Sequence, residues 1–383
     1  MGTDKELEKF RLEVRQWINE NKTEVVGEFG TESFRRWGEK LYKKGWAVPH
    51  WPVEYGGPGF SSQELVIFQE EMMAADAPGL RSTGVNMMGP LIMRYGTDWQ
   101  KEYYLPKIPT QEHLWCQGFS EPDTGSDLAS LSTEAVLDGD EFVINGKKIW
   151  TSYANRCNMM FLLVRTKTCK KKQDGITFLL MEMDQPGLEV QPIKLVIGES
   201  EFCESFFTNA RTHKKNLIGE IDQGWKMAKA LLGNERVGIL DRPNLVGINL
   251  NRLREYAGKV IIGGKKLSDD PIFRRRITEF ELDQACARFT NNRIRESISK
   301  GIAPGPEAAF MKLYSTELGK RINDTMMGVM GPESQVFIDE DNSGDELEVS
   351  RIYLFAYAST IAAGSSEILR NIISKRILGL PSN

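Results

Sequence analysis

The sequence has few of the residues from which metal and acid–base sites are usually built. Only three of its 383 residues are histidines, His50, His113 and His213, and they lie far apart. No two of its five cysteines form a CxxC pair. Zinc sites draw on such residues at short spacings, so no metal site is expected. Proton transfer is expected from a carboxylate instead.

The sequence also lacks a membrane span and a large excess of one charge. No run of about 18 apolar residues occurs. The 49 basic and 53 acidic residues leave a net charge of −4, which gives no sign of a nucleic-acid partner. An odd number of widely spaced cysteines fits reduced thiols. The N-terminal MGTDKELEKF is too charged for a secretory signal. These features together predict a cytoplasmic protein.

What is present is a succession of helical, extended and helical patterns, over a length typical of two to three domains. Apolar residues recur at helical spacing near the N-terminus, and Ser61 or Ser62 is predicted to begin a further helix. From Leu114 to about residue 220, short apolar runs alternate with Gly and Pro. The pattern predicts an α+β chain with a helical domain at 1–114, a β domain at 115–222 and a helical domain at 223–383.

Within the last domain, helices are predicted at 271–297, at 307–330 and over SSEILRNIISKRIL near the end. The acidic run DEDNSGDELE at 339–348 is predicted to be a solvated loop.

Two motifs in the β domain could bind a ligand. The segment from Trp115 to Asp127, WCQGFSEPDTGSD, places two turn clusters after a short strand. Turns of this kind present N–H groups and hydroxyls to an anion or a heterocycle. In the second motif, Trp150 lies beside Thr151 and Ser152, where a ring can stack and a hydroxyl can bond. A ligand-free β-turn and a core tryptophan are the open alternatives.

Two more motifs lie in the C-terminal helices. Leu231, Glu235 and Ile239 are spaced by four, so Glu235 falls on an apolar stripe. Burial would raise the pKa of a carboxylate there toward that of a useful base, although the motif taken alone favours a structural salt bridge. The segment AAGSSEILR at 362–370 resembles a helix start capped by Ser365 or Ser366. Helix starts also bind phosphates or polarised carbonyls.

The four motifs, in this order, resemble those of the acyl-CoA dehydrogenase family. The similarity covers nearly the whole chain, through the GW–P–YGG loop, FSEP–TGSD, INGKKIWTS and GSSEILRN. It implies a helical domain, a β-barrel-like domain and a C-terminal four-helix bundle. It also implies FAD as cofactor, a tetramer formed through the C-terminal helices, and removal of two hydrogens from an acyl-CoA thioester in β-oxidation. Electron-transfer flavoprotein would accept the electrons from the enzyme.

The resemblance also assigns roles to individual residues. Trp150 would flank the flavin ring and Ser152 would bond its N5 edge, with Thr151 beside them. Ser126 would contact a flavin phosphate or the substrate, and Arg236 would support the substrate end of the site. The remaining cofactor residues that it implies are Gln117, Phe119, Ser120, Ser365 and Glu367.

The chain departs from the family pattern at the catalytic position. Many members carry the base just before the glycine of the last motif, where this chain has Ala363. A subset that acts on branched or bulky acyl chains carries it on the helix, at the position of Glu235. We therefore expect Glu235 to be the base and the Ala363 N–H to bind the thioester carbonyl. Space around Ala363 favours a branched, ring-bearing or long acyl chain.

A second departure concerns assembly. The family's Arg-x-x-Phe-Gly motif is absent from GKVIIGGKKLSDDPIF, and a family glutamine is absent from the region beginning at Met326. In the related steroid side-chain dehydrogenases, which are α2β2 heterotetramers, a partner subunit supplies these FAD contacts. A homotetramer is the commoner arrangement. The alternatives are therefore a base-bearing subunit that needs a partner, or an oxidase with the same fold that passes electrons to oxygen.

Overall fold

The computed structural model describes residues 4–22, 26–27, 29–80, 83–240, 243–299, 305–335 and 345–381, with backbone alone at 233–240, at 243–248 and at a few other positions. Contacts divide the chain into two compact units. One comprises residues 1–195 and 199–234, and the other comprises 196–198 and 235–383. The first unit thus contains both the N-terminal helices and the sheet. The predicted boundaries near 114 and 222 stay predictions.

The N-terminal part of the first unit is helical, as predicted. Its helices are α1 (Asp4–Asn21), α2 (Glu32–Lys44), α3 (Ser62–Ala74), α4 (Gly89–Tyr95) and α5 (Asp98–Tyr104). Ser61 caps α3 through a reciprocal pair of hydrogen bonds with Glu64, so the first of the two predicted serines begins this helix. Glu71 of α3 is buried and accepts hydrogen bonds from Arg11 and Arg15, which ties α3 to α1.

The middle of the chain forms one curled seven-stranded sheet. Its strands are β1 (Trp115–Gly118), β2 (Glu134–Asp138), β3 (Glu141–Ser152), β4 (Met159–Arg165), β5 (Ile176–Glu182), β6 (Leu188–Pro192) and β7 (Phe202–His213). The strand order is β1-β4-β2-β3-β7-β6, and β5 pairs with β4. Most neighbours are antiparallel, but β1 runs parallel to β4 and places Gln117 opposite Phe161.

Strands β4 and β5 are buried on both faces, which explains their continuous apolar sequences. Phe161 and Phe178 face the core shared with the N-terminal helices, whereas Leu162 and Leu179 face the inside of the curled sheet. Helix α6 (Gly224–Leu240) begins against this sheet. A Cβ on Gly224 would lie 2.6 Å from the β5 backbone, so only glycine permits this close approach.

The second unit is mainly helical. It contains α7 (Pro243–Lys259), α8 (Pro271–Ser299), α9 (Glu307–Met330), α10 (Asp345–Ser359) and α11 (Ser366–Arg376). The short strands β8 (Ile261–Ile262) and β9 (Lys265–Lys266) form a hairpin between α7 and α8. A core around Leu253, Phe280 and Ile322 joins α7, α8 and α9. Because α10 begins at Asp345, the loop prediction is wrong for 345–348, while 339–344 lie outside the described residues.

Candidate functional site

A tight turn follows β1 at the FSEPDTGSD motif. The N–H of Glu121 donates to the carbonyl of Thr124 at 2.9 Å, and the N–H of Thr124 returns a bond at 3.0 Å. Gly125 and Ser126 lie at the exposed end of this turn, where a Cβ on Gly125 would meet nothing within 4 Å. The turn therefore presents its Gly-Ser end to solvent while its base is fixed in the protein.

A buried ion pair fixes the base of the turn. Lys148 of β3 is fully buried, and its Nζ lies 2.8 Å from a carboxylate oxygen of Glu121, which is 5% exposed. Nζ also donates to the carbonyl of Phe119 at 3.1 Å. The Glu121 carboxylate accepts three further bonds, from the N–H and hydroxyl of Ser132 and from the N–H of Thr133. The pair thus connects the turn to β3.

Both members of this pair are ionised at neutral pH. Burial opposes ionisation of Glu121, but the charge of Lys148 and the hydrogen bonds outweigh it and lower the pKa of Glu121 to about 2. Burial lowers the pKa of Lys148 to about 8, and Glu121 limits that fall. A buried charge is tolerated only when it is paired and hydrogen-bonded, and this pair meets both conditions.

The other end of β3 holds Trp150 in a strained conformation. Its φ is +61°, in the left-handed region that bulky side chains rarely adopt. The register of the β3–β7 pairing shifts between Lys148 and Thr151. A β-bulge at this point accommodates Trp150. Trp150 is 53% exposed, and its ring lies perpendicular to the ring of Phe202. Strain of this kind is typical of binding sites, and the side chain held by it here is half-exposed.

The two hydroxyl residues after Trp150 differ in orientation. Thr151 is fully buried, and its hydroxyl donates to the carbonyl of Cys203 at 2.7 Å. A contact between Thr151 and a cofactor would therefore come from its backbone. Ser152 is half-buried, and within the described part of the chain its hydroxyl has no hydrogen-bond partner. Of the two hydroxyls, only that of Ser152 is left to bond a ligand.

The predicted cofactor residues on and after β1 also differ in which of their atoms a ligand could contact. Gln117 and Ser120 are half-buried, and the Ser120 carbonyl accepts a bond from the N–H of Ile149 at 2.9 Å. Phe119 is buried and packs edge-to-face with Phe161 and Phe178. Its side chain therefore belongs to the core, and only its backbone could contact a flavin.

In the second unit, the segment before α11 forms a strained turn. Ala363 has φ +57° and Gly364 has φ +102°. Ser365 caps α11 by accepting a bond from the N–H of Ile368, whereas Glu367 is exposed and pairs with Arg370. Ser365 is therefore the helix cap among the two predicted serines. The turn is fixed by the buried Lys312 of α9, whose Nζ donates to the Gly364 carbonyl at 2.9 Å.

Helix α6 carries the predicted base. Leu231 is fully buried in the core shared with Phe119, and position 235 follows one helical turn later. The backbone of 235 and 236 is helical, while the side chains of Glu235 and Arg236 lie outside the described atoms. Their assigned roles therefore stay predictions.

Several residues that shape the site were not singled out from the sequence. Glu121 occurs inside FSEPDTGSD, and Lys148 occurs inside INGKKIWTS. Phe142 and Ile144 of β3 point inward, and the alternation of side chains along the strand could have placed Lys148 in the interior as well. Thr124 is 6% exposed, and its hydroxyl has no partner in the described structure. The role of Lys312 could not be predicted from the residues around it, because its partner Gly364 is distant in sequence.

The residues present fit a flavin. A half-exposed indole, the Ser152 hydroxyl without a partner among the described residues, and a turn with an exposed Gly-Ser end are groups that can bind a flat ring and its phosphates. No cluster of three metal-ligating side chains occurs among the described residues. Over the same residues, no helix is long and apolar enough to cross a membrane.

Comparisons with known proteins identify the family of the chain. Family models of the acyl-CoA dehydrogenase N-terminal, middle and C-terminal domains match residues 4–112, 116–210 and 222–378. The chain is 36% identical to the acyl-CoA dehydrogenase IpdE1 of Mycobacterium tuberculosis, over 98% of both chains. It is 31% identical to acyl-CoA dehydrogenase FadE26 of the same organism, over 98% of this chain and 97% of the relative.

Solved structures of acyl-CoA dehydrogenases superpose on the whole chain. The steroid acyl-CoA dehydrogenase Tcur3481-Tcur3483 superposes with a TM-score of 0.86 at 29% identity, covering 100% of this chain and 99% of that one. A chain of the ChsE4-ChsE5 complex from Mycobacterium tuberculosis superposes with a TM-score of 0.83 at 29% identity, with both chains fully covered. The expected fold of helical, curled-sheet and helical regions is confirmed. The chain belongs to the acyl-CoA dehydrogenase family, whose members are FAD-dependent oxidoreductases.

Proposed function

We propose that this enzyme carries out the FAD-dependent α,β-dehydrogenation of a bulky acyl-CoA thioester and passes the electrons to electron-transfer flavoprotein. The observation that carries the proposal is the strained, half-exposed Trp150 beside the unpartnered Ser152 hydroxyl. Family membership supports the reaction class. The electron acceptor, the acyl chain and the cytoplasmic location are proposals.

The residues that match the family's cofactor positions would hold the FAD. Trp150 would flank the ring and Ser152 would bond its edge, while Ser126 would contact a phosphate. The other residues proposed to contact FAD in this enzyme are Gln117, Phe119, Ser120, Thr151, Ser365 and Glu367. When bound, the flavin supplies the hydride acceptor. The strain stored at Trp150 is consistent with a side chain held ready before the ligand arrives.

Glu235 would remove the α-proton of the substrate. Ala363 carries no carboxylate, so the base must come from another position. The Ala363 N–H would donate to the thioester carbonyl and stabilise the developing enolate, and no backbone partner for this N–H occurs in the described residues. Arg236 would support the substrate end of the site. Exclusion of water would raise the basicity of Glu235.

The acyl group is proposed to be bulky or ring-bearing. The small side chain of Ala363 leaves room where other family members carry a glutamate. The steroid acyl-CoA dehydrogenase Tcur3481-Tcur3483 resembles this chain over its full length. A steroid side-chain thioester is therefore the first substrate class to test.

The assembly has two candidate forms. A homotetramer is the commoner form in the family. An α2β2 heterotetramer is favoured by the missing arginine, since the corresponding stretch forms the hairpin of β8 and β9 with exposed Ile261 and Ile262. It is also favoured by the two solved relatives, each named as a pair of proteins. In the heterotetramer, a partner subunit would supply the missing FAD contacts.

The visible spectrum of the chain produced alone distinguishes these forms. Flavin bands near one FAD per chain, with dye reduction by an acyl-CoA, would support the homotetramer. A colourless preparation that gains flavin on co-expression with a neighbouring dehydrogenase subunit would support the heterotetramer. Failure to bind flavin in both cases would contradict the proposed function. Rapid oxygen uptake in place of dye reduction would indicate an oxidase.

A further inference from the structure

The turn between α10 and α11 is held at both of its ends. At the α10 end, the N–H of Ala362 donates to the carbonyl of Ala358 at 2.9 Å. At the α11 end, the N–H of Ser366 donates to the carbonyl of Thr360 at 3.0 Å. The N–H of Ala363 lies between these two bonds and has no backbone partner among the described residues. The turn therefore fixes the chain around an N–H group that is left to bind a ligand.

The backbone inside this turn is strained at two successive residues. Ala363 has φ +57° and Gly364 has φ +102°. Glycine adopts a positive φ readily, but for alanine this conformation is unfavourable because Cβ approaches the following carbonyl oxygen. A strained conformation persists only where the surrounding structure holds it. A contact from outside the turn is therefore needed to keep Ala363 and Gly364 in place.

Lys312 of α9 makes that contact. It is 1% exposed, and its Nζ donates to the carbonyl of Gly364 at 2.9 Å. The Gly364 carbonyl lies two peptide units after the Ala363 N–H. The bond therefore restricts the backbone rotations at Ala363 and Gly364 that separate the two groups.

A second contact from α9 holds helix α11 and not the strained residues. Glu317 accepts a hydrogen bond from the Ser366 hydroxyl and lies 3.8 Å from Arg370. Both of these partners belong to α11. Among the described hydrogen bonds, it is the one from Lys312 that reaches the backbone of the strained residues.

We propose that Lys312 is a positioning residue for the dehydrogenation, because it holds the strained turn so that the Ala363 N–H points at the thioester carbonyl of the substrate. This inference rests on the proposed function, in which that N–H stabilises the enolate formed when the α-proton leaves. Lys312 acts through the backbone of the turn and does not itself contact the substrate. Its loss should therefore weaken enolate stabilisation more than it weakens binding of the thioester.

The test is a pH titration of acetoacetyl-CoA bound to the flavin-loaded enzyme, produced alone or with its partner. The α-protons of this thioester are acidic and its enolate absorbs in the near ultraviolet, so absorbance against pH gives the pKa of the bound ligand. We expect the unmodified enzyme to lower this pKa below that of free acetoacetyl-CoA. Lys312→Met should raise it by up to about two pH units, since a misplacement of about 1 Å can cost about 10²-fold.

Two further variants separate positioning from stability. Tyr314→Phe is the matched control, because it removes a bond of 2.7 Å from α9 to Asp283 of α8 that does not involve the turn. It should lower the free energy of unfolding and leave the pKa of the bound ligand unchanged. Lys312→Arg keeps a donor at this position, so its ligand pKa should lie closer to that of the unmodified enzyme than the Lys312→Met value does.

The outcomes distinguish this inference from the proposed function. An unmodified enzyme that does not lower the pKa of bound acetoacetyl-CoA would contradict both. An unmodified enzyme that lowers this pKa, together with an equal effect in Lys312→Met, would overturn the role of Lys312 alone. Equal shifts in Lys312→Met and Tyr314→Phe would also overturn it, because loss of stability would then explain both.

A crystal structure of the unmodified enzyme with acetoacetyl-CoA tests the same inference if Lys312→Met does not fold. We expect the thioester oxygen to accept a hydrogen bond from the Ala363 N–H while Lys312 keeps its bond to the Gly364 carbonyl. A thioester oxygen bound by other donors, or a Lys312 amine in direct contact with the ligand, would overturn the proposal.

Discussion

At the scale of single residues, the Glu121–Lys148 pair is a buried ion pair on which the stability of the first unit should depend. Its two charges are buried, so removing one of them leaves the other without compensation. Lys148→Met should lower the free energy of unfolding by about 3–5 kcal/mol, measured by urea denaturation. The double substitution Lys148→Met with Glu121→Gln should recover part of the loss.

The matched control is an exposed ion pair on the same sheet. Lys214 lies 2.6 Å from Asp140, with the two side chains 53% and 67% exposed. Lys214→Met should change stability by about 1 kcal/mol or less. Similar losses for Lys148→Met and Lys214→Met would contradict the argument that burial makes the first pair important.

His113 is expected to make the protein sensitive to mild acid. Burial, aided by Lys107, lowers its pKa from 6.5 to about 4, and its Nδ1 has no partner in the described structure. Between pH 6.5 and about pH 4, His113 binds a proton in the unfolded chain but stays neutral in the folded chain. Stability should therefore fall as the pH drops from 6.5 to 4, by at most about 1.4 kcal/mol per pH unit.

Replacement of the histidine tests this sign. His113→Phe should flatten the dependence of unfolding free energy on pH over this window, since Phe fits among the surrounding aromatic rings and cannot titrate. An unchanged slope in His113→Phe would show that other groups cause the acid sensitivity.

Trp150 allows binding to be separated from stability. Glycine adopts its φ of +61° without strain, so Trp150→Gly should change the unfolding free energy of the flavin-free protein by about 1 kcal/mol or less. The same substitution should greatly reduce FAD retention, measured by absorbance after gel filtration. Asn209 of β7 has a similar φ of +55°, so Asn209→Gly relieves a comparable backbone strain. This variant should retain FAD. Equal retention in both variants would argue against a role for the indole.

At the scale of elements, periodicity predicted some parts of the chain well. The short apolar runs of the middle region indicated strands, and the structure contains β4 and β5 there, with side chains in two cores. The serine signals before α3 and α11 indicated helix starts, and Ser61 and Ser365 are the caps. Local patterns succeed here because the determining contacts are themselves local.

Other elements could not be predicted from local sequence patterns. Helix α10 was missed because its apolar residues lie on all sides, so no amphipathic stripe marks it. The hairpin of β8 and β9 is a short element whose turn needs the positive φ values of Gly263 and Gly264. In the candidate site, the motifs identified Trp150 and Ser152, but the burial of Thr151 and the pairing of Glu121 with Lys148 required the assembled sheet.

At the scale of the whole molecule, we propose that exposed apolar residues on α8 contact another subunit. Leu282 and Phe289 are 62% and 66% exposed and lie on one face of the helix with Cys286. The double substitution Leu282→Glu with Phe289→Glu should shift the protein toward smaller species in sedimentation velocity. Val136→Glu, at a 55% exposed position on β2, is the control and should leave the assembly intact. Equal assembly of all three proteins would exclude this face as a subunit contact.

The measurement that tests the central claim most directly is anaerobic bleaching of the bound flavin by a panel of linear, branched and steroid acyl-CoA thioesters. The flavin-loaded protein, produced alone or with its partner, is compared with Glu235→Gln. We predict that a bulky thioester bleaches the flavin of the unmodified enzyme, while Glu235→Gln retains its flavin and stays yellow. Bleaching at a near-normal rate in Glu235→Gln would contradict the assignment of the base, and no bleaching of the unmodified enzyme by any thioester would contradict the proposed reaction.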